Sequence, residues 1–126
     1  MKKLLLSIFI LLCCNPSAYS NNFDTNVTTK TQSLKNIAYG PHPQQVMDVY
    51  FPVKALTDKT PAPLIVMVHG GAWSRGDKNN ASVVKNKMDY WTKQDWIFIS
   101  INYRLVPDVT VQQQTQDIAE ALIYIQ

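Results

Sequence analysis

Both cysteines of this 126-residue chain, Cys13 and Cys14, fall within its first fourteen residues. No disulfide can staple the rest of the chain, so its stability has to come from packing. With only His42 and His69 to add, no His/Cys cluster of the kind that holds zinc can be assembled. Glycine is scarce as well. Gly40, Gly70, Gly71 and Gly76 are the whole complement, and none brackets a serine as Gly-x-Ser-x-Gly, the segment that mounts a nucleophilic serine on a sharp strand-to-helix turn. Nor do they form the Gly-x-Gly-x-x-Gly of a dinucleotide site. Runs of like charge are missing too. Twelve Lys and Arg against nine Asp and Glu give +3, and without Lys2 and Lys3 the balance is +1. Nucleic acid and an anionic membrane are therefore not expected partners.

What is present begins with a basic start, Met1-Lys2-Lys3, then an apolar run from Leu4 to Cys14 and the small residues Ala18 and Ser20. This is the pattern of a secretory signal peptide cleaved after Ser20. The apolar run is shorter than the roughly 20 residues of a membrane span. A lipoprotein signal ending at Cys13 or Cys14 is the alternative, disfavoured by the bulky Leu11 and Leu12 before them. Residues 1–20 are thus read as a signal, 21–33 as a polar flexible leader, and 34–126 as an incomplete domain. Export to a secreted or periplasmic location is the expectation. Asn26-Val27-Thr28 and Asn80-Ala81-Ser82 match the glycosylation sequon, which has meaning only in a eukaryotic secretory pathway.

From Leu34 the pattern changes. Leu34 to Tyr39 partly alternates and ends at Gly40-Pro41-His42-Pro43; Val46 to Phe51 comes next and ends at Pro52. These two segments read as an antiparallel hairpin at a sheet edge. Leu64-Ile65-Val66-Met67-Val68 reads as a strand covered on both faces. A helix capped by Asn80 or Ser82 places Val84, Met88 and Trp91 on one face, and Trp96 to Ile101 is the next apolar strand. Strand, helix, strand at this spacing is a βαβ unit. A second helix starts at Val111, with Ile118, Ala119, Leu122 and Ile125 expected along its buried side. It reaches Gln126 without a Gly, Asn or Pro stop signal.

The segment richest in chemistry is His69-Gly70-Gly71-Ala72-Trp73, directly after the Leu64–Val68 run. Acyl transfer puts negative charge on a former carbonyl oxygen, which preorganised N–H groups stabilise. Glycines let the backbone bend and approach a substrate closely. The N–H groups of Gly71 and Ala72 are the expected donors, with Gly70 shaping the turn. Ser74 and Ser100 read as ordinary loop and strand serines, and His42 as a surface turn residue.

Several further segments recur in the same order: Tyr39-Gly40, Gln45-Val46-Met47-Asp48-Val49-Tyr50 with Pro52, Gly76-Asp77-Lys78, Asn102-Tyr103-Arg104-Leu105 with Pro107, and Gln116-Asp117-Ile118-Ala119 with Ala121-Leu122. With the His-Gly-Gly turn they make the chain, from Ile37 to Ile125, resemble the esterase/lipase group of α/β-hydrolases, particularly bacterial esterase-like and arylformamidase-like members. The resemblance implies the N-terminal part of an α/β-hydrolase fold: a mostly parallel sheet with flanking helices and antiparallel strands at its N-terminal edge.

It also implies hydrolysis of carboxylic esters, small-molecule ester substrates and no cofactor. Gly70, Gly71 and Ala72 would form the oxyanion hole, supported by His69, Trp73, Asp77 and Arg104. His69 would be structural, bonding backbone; Asp77 and Arg104 would pair across the loop mouths; Trp73 reads as a core-packing residue over the turn, with the lining of an acyl pocket as the alternative. The group's Ser, Asp/Glu and His come later in chain order, and none has a matching position here. The expectation is therefore an exported esterase represented by its N-terminal fragment, inactive alone. A non-catalytic exported module built on the same fold is the alternative.

Overall fold

The computed structural model describes residues 31–58 and 61–126. The expected signal, nearly all of the expected leader and the Asn26 sequon lie outside the described residues. The elements run β1 (Thr31–Ala38), β2 (Val46–Pro52), α1 (Lys54–Thr57), β3 (Leu64–Val68), α2 (Ala81–Thr92), β4 (Ile97–Ile101) and α3 (Val111–Ile125). One four-stranded sheet has the order β1-β2-β4-β3. β1 pairs antiparallel with β2, and β2 antiparallel with β4. The βαβ unit read from the sequence is present, since β3 and β4 are parallel and α2 joins them. β1 begins at Thr31, three residues before the expected Leu34, because its first residues pair with Pro52, Phe51 and Tyr50.

Strand alternation divides the core between the two faces. Met47, Val49, Ile97, Ile99 and Ile101 turn to one side and meet Ala121, Ile118 and Ile125 of α3. Tyr50, Phe98, Ile65 and Met67 turn to the other and meet Val84, Met88 and Trp91, the α2 stripe expected from its spacing. Asn80 caps α2 by accepting from the Ser82 N–H at 3.2 Å.

α3 is rotated from its expected setting. Its fully buried residues are Gln114, Asp117 and Ala121. Ala119 and Leu122 are exposed, and Ile118 and Ile125 are half-buried. Two buried polar side chains, each bonded to a loop beside the sheet, set the rotation (Gln114 to Trp73, Asp117 to Arg104). An apolar-only reading assigns those positions to solvent.

The N-terminus of α3 has a capping box. The Gln113 N–H donates to Thr110 Oγ1 at 3.3 Å, and the Thr110 N–H donates to Gln113 Oε1 at 2.9 Å. Such reciprocal bonds satisfy two donors that the first helical turn leaves free. Thr110→Ala is expected to lower the unfolding free energy by about 1 kcal/mol, read from urea denaturation of the full chain.

Candidate active site

β3 ends at Val68, and the backbone then enters left-handed conformations at Gly71 (φ 139°), Ala72 (φ 51°), Trp73 (φ 62°) and Gly76 (φ 125°). A side chain at Gly71 would collide with the Arg75 carbonyl, and one at Gly76 with His69 and the Gly70 carbonyl. A Cβ at Gly70 would meet open space. The turn is therefore shaped by Gly71 and Gly76, and the expectation for Gly70 is corrected. Ala72 and Trp73 carry Cβ atoms in a region that costs roughly 1–2 kcal/mol per residue.

Neighbouring groups hold this strained turn in place. The Gly71 carbonyl accepts from the N–H groups of Ser74 (3.2 Å) and Arg75 (3.1 Å). The Trp73 carbonyl accepts from the Val106 N–H at 3.0 Å and from Gln114 Nε2 at 2.8 Å. Among the described residues, no backbone hydrogen bond uses the N–H of Gly71 or Ala72. Successive N–H groups in a turn of this kind form a concavity suited to an anionic oxygen.

His69 is buried beneath the turn. Its Nδ1 lies 2.9 Å from the Gly70 carbonyl, which can only accept, so Nδ1 carries a proton. The imidazole stacks on Tyr103 at 4.6 Å, and the Tyr103 hydroxyl donates to the His69 carbonyl at 2.9 Å. Burial raises the Tyr103 pKa, which keeps that donor protonated. Trp73 departs from expectation. It is 56% exposed and belongs to neither core cluster among the described residues, which corrects the core-packing expectation; what the fold grips is its carbonyl.

The chain leaves the turn through Asp77 and Lys78, and here a buried charge network begins. Lys78 Nζ lies 2.8 Å from Asp48 Oδ1, both side chains almost wholly withdrawn from water. Asp48 also receives Lys35 Nζ at 3.1 Å and the Asn36 N–H at 3.0 Å. The β1–β2 register shifts between Leu34 and Ile37, with Asn36 at φ 55°. That irregularity aims its N–H at Asp48 and its Oδ1 at Lys78, 2.8 Å away. The Lys78 N–H donates to Asn102 Oδ1 at 2.6 Å, Ser100 Oγ donates to the Lys78 carbonyl at 2.7 Å, and Asn102 Nδ2 donates to Asp77 Oδ2 at 3.0 Å.

Arg104 and Asp77 do not pair, which corrects the expectation. Arg104 instead binds Asp117 of α3, with Nη2 2.6 Å from Oδ1 and both Nε and its own N–H within 3.0 Å of Oδ2. The competing acceptor is the buried one: Asp117 lies in α3 and has no water to satisfy it, whereas Asp77 has Asn102 and the Asn79 N–H. Gln45 Nε2 donates to Asp117 Oδ1 at 2.9 Å and to Glu120 Oε2 at 3.0 Å. Gly40 leaves the space this carboxamide occupies, since a Cβ there would overlap it. The Tyr39 hydroxyl, whose pKa is raised by burial and by the charges of Asp117 and Glu120, donates to the Asn102 carbonyl at 2.6 Å.

The expected residues thus separate into groups. His69 through Trp73 form one turn, Asp77 joins it to the Asn102 node, and Arg104, in the loop after β4, is bonded to Asp117 of α3. Sequence reasoning assigns no role at the site to Asp48, Lys78, Asn102 or Gln114. One signal is available for Asp48, a carboxylate between Met47 and Val49 in an otherwise apolar strand, since such a residue is almost never fully buried unless paired.

The sheet order, the flanking helices and the glycine turn at the end of β3 match the N-terminal part of the α/β-hydrolase fold. The BD-FAE family profile matches residues 47–126, and the chain belongs to that family. It is 30% identical over 95 residues to the probable isoprenylcysteine alpha-carbonyl methylesterase ICMEL2 of Arabidopsis thaliana, covering 75% of this chain and 21% of that protein. It is 28% identical over 95 residues to esterase LipC of Mycobacterium tuberculosis, covering 71% and 21%. Esterase B of Lactobacillus rhamnosis superposes with a TM-score of 0.64 at 30% identity, covering 81% of this chain and 31% of that one. The chain therefore spans about a fifth of the length of the curated relatives it matches.

Burial works to raise the pKa of both Asp48 and Asp117. The Lys78, Asn36 and Lys35 bonds to the first, and the Arg104 and Gln45 bonds to the second, outweigh it and leave both below the ordinary 3.8. Each contributes stability that is complete above that ordinary value and lost as pH falls through the depressed one. The melting temperature of the full chain is expected to drop as pH is lowered below about 4, with a shallower drop in Asp117→Asn. Asp48→Ala, which strands the Lys78 ammonium, is expected to cost about 3–5 kcal/mol at neutral pH.

Proposed function

We propose that this chain is the oxyanion-stabilising part of an exported serine-type esterase. The observation that carries the reading is the left-handed turn at Gly71–Trp73, with the N–H groups of Gly71 and Ala72 free of backbone partners among the described residues. In this reading a carboxylic ester places its carbonyl oxygen against those two groups. As a nucleophile adds, the oxygen becomes anionic and the two N–H dipoles, already oriented, stabilise it without rearranging. The strain at Ala72 and Trp73 is consistent with such preorganisation, since backbone strain of this kind clusters at functional sites.

Burial of His69 and the stacking of its ring on Tyr103 support a structural role for it in this reading, holding the turn rather than taking a proton. The chain offers no nucleophile elbow, because no serine is bracketed by glycines. The attacking serine and its acid and histidine partners lie outside these 126 residues in this reading. The small share of each relative that the chain covers supports it. A small-molecule ester is the proposed substrate, and the substrate's remaining contacts fall outside this part as well.

Sequencing the gene beyond codon 126, in this or a shifted frame, tests the reading first. A short apolar strand and then Gly-x-Ser-x-Gly are expected there, and unrelated sequence in every frame overturns the proposal. In the protein so encoded, Gly71→Val is expected to lower kcat for p-nitrophenyl butyrate by about a hundredfold or more with little change in KM. Equal rates in variant and parent remove the turn from the reaction.

Export is proposed from Met1–Ser20. Amino-terminal sequencing of the secreted or periplasmic protein is expected to begin at Asn21, and a lipid-modified start at Cys13 or Cys14 overturns that cleavage.

A further inference from the structure

We propose that Gln114 is the positioning residue that keeps the Gly71–Trp73 turn in its N–H-presenting conformation, an inference that rests on the reading of that turn as an oxyanion cradle. Two consecutive residues with side chains, Ala72 and Trp73, are held at φ 51° and 62°. A left-handed pair of this kind relaxes unless something outside the turn fixes it. The Trp73 indole does not fix it, being more than half exposed. The Trp73 carbonyl does, because it accepts from two separate elements: the Val106 N–H at 3.0 Å from the loop after β4, and Gln114 Nε2 at 2.8 Å from the first turn of α3.

The chemistry of Gln114 itself supports the assignment. Its side chain is 2% exposed, yet its Oε1 has no hydrogen-bond partner among the described residues. A buried amide whose oxygen has no partner is a poor choice for packing alone, where methionine or leucine fills similar space without an orphaned oxygen. What the glutamine offers and those residues cannot is the Nε2 donor, and that donor goes to the turn. α3 is in turn a firm mount. Its start is fixed by the Thr110–Gln113 box, and one helical turn beyond Gln114 the buried Asp117 is bonded to Arg104.

Gln114→Met keeps the volume and removes the donor. In the full chain, amide hydrogen exchange measured by NMR is expected to become about tenfold or more faster at Ser74, Arg75 and Val106. These are the amides bonded to the Gly71 and Trp73 carbonyls. Ile99 and Ile101, in the centre of the sheet, are expected to keep the parent's protection. Unchanged exchange at the three loop amides overturns the proposal, as does a uniform loss across β4, which marks a packing role only.

A second measurement needs no substitution. In the parent, the Gln114 carboxamide protons are expected to exchange slowly and to show nuclear Overhauser contacts with Trp73, and a rapidly exchanging carboxamide overturns the clamp. These experiments read the clamp alone, whereas unrelated sequence in every frame beyond codon 126, or equal rates for Gly71→Val and its parent in the longer protein so encoded, removes the esterase reading, so the two failures are told apart.

Discussion

Asp48 and Lys78 face each other across 2.8 Å with almost no access to water. Ions withdrawn from water in this way persist only with close geometry and further hydrogen bonds, and the structure supplies both. Asn36 from β1, Lys35 from β1 and Asn102 from the end of β4 all converge on the two. A single constraint thereby fixes four things: the irregular pairing of β1, the inward face of β2, the exit of the glycine turn and the start of the loop after β4. The exit of the turn is anchored to β2 through Asp48 and to β4 and its end through Ser100 and Asn102.

The second charged pair does for α3 what the first does for the turn. Asp117 draws Arg104, its backbone N–H and Gln45 to one carboxylate, which sets the helix rotation and places Gln114 beneath Trp73. The two nodes meet at Asn102, whose backbone carbonyl takes the Tyr39 hydroxyl and whose side chain takes the Lys78 N–H. Between them the strained segment Gly71–Trp73 is surrounded by anchored neighbours. Removing water from polar groups is costly without partners, and here each partner is also a strut.

The strands and the two long helices are legible in the sequence because their signal is local. Leu64–Val68 and Trp96–Ile101 are apolar runs, and Val84, Met88 and Trp91 repeat with the helical period. The glycine turn is legible as well, through its position directly after a strand. What the sequence does not disclose is where polar side chains go once the chain is folded. Nothing in the spacing of Asp77 and Arg104 says that Arg104 prefers a carboxylate thirteen residues onward, because the preference arises from burial of Asp117 in a helix not yet placed. The same holds for Gln114 and for the setting of α3. A periodic reading sends glutamine and aspartate to the solvent side and leucine to the core, whereas Leu122 is exposed and Gln114 is not.

The carboxamide of Gln45 has a role out of proportion to its size. Its nitrogen serves Asp117 and Glu120, its oxygen receives the His42 N–H at 3.1 Å, and it fits only because Gly40 has no side chain. Residues far apart in the chain, from Gly40 to Glu120, are thereby tied to one planar group. Sequence change at any of them is epistatic with the others: an alanine at Gly40 is harmful while Gln45 is present and loses much of its penalty once Gln45 is shortened. Drift through this corner of the fold therefore proceeds by joint replacement, and the loop before β2 cannot diversify independently of α3.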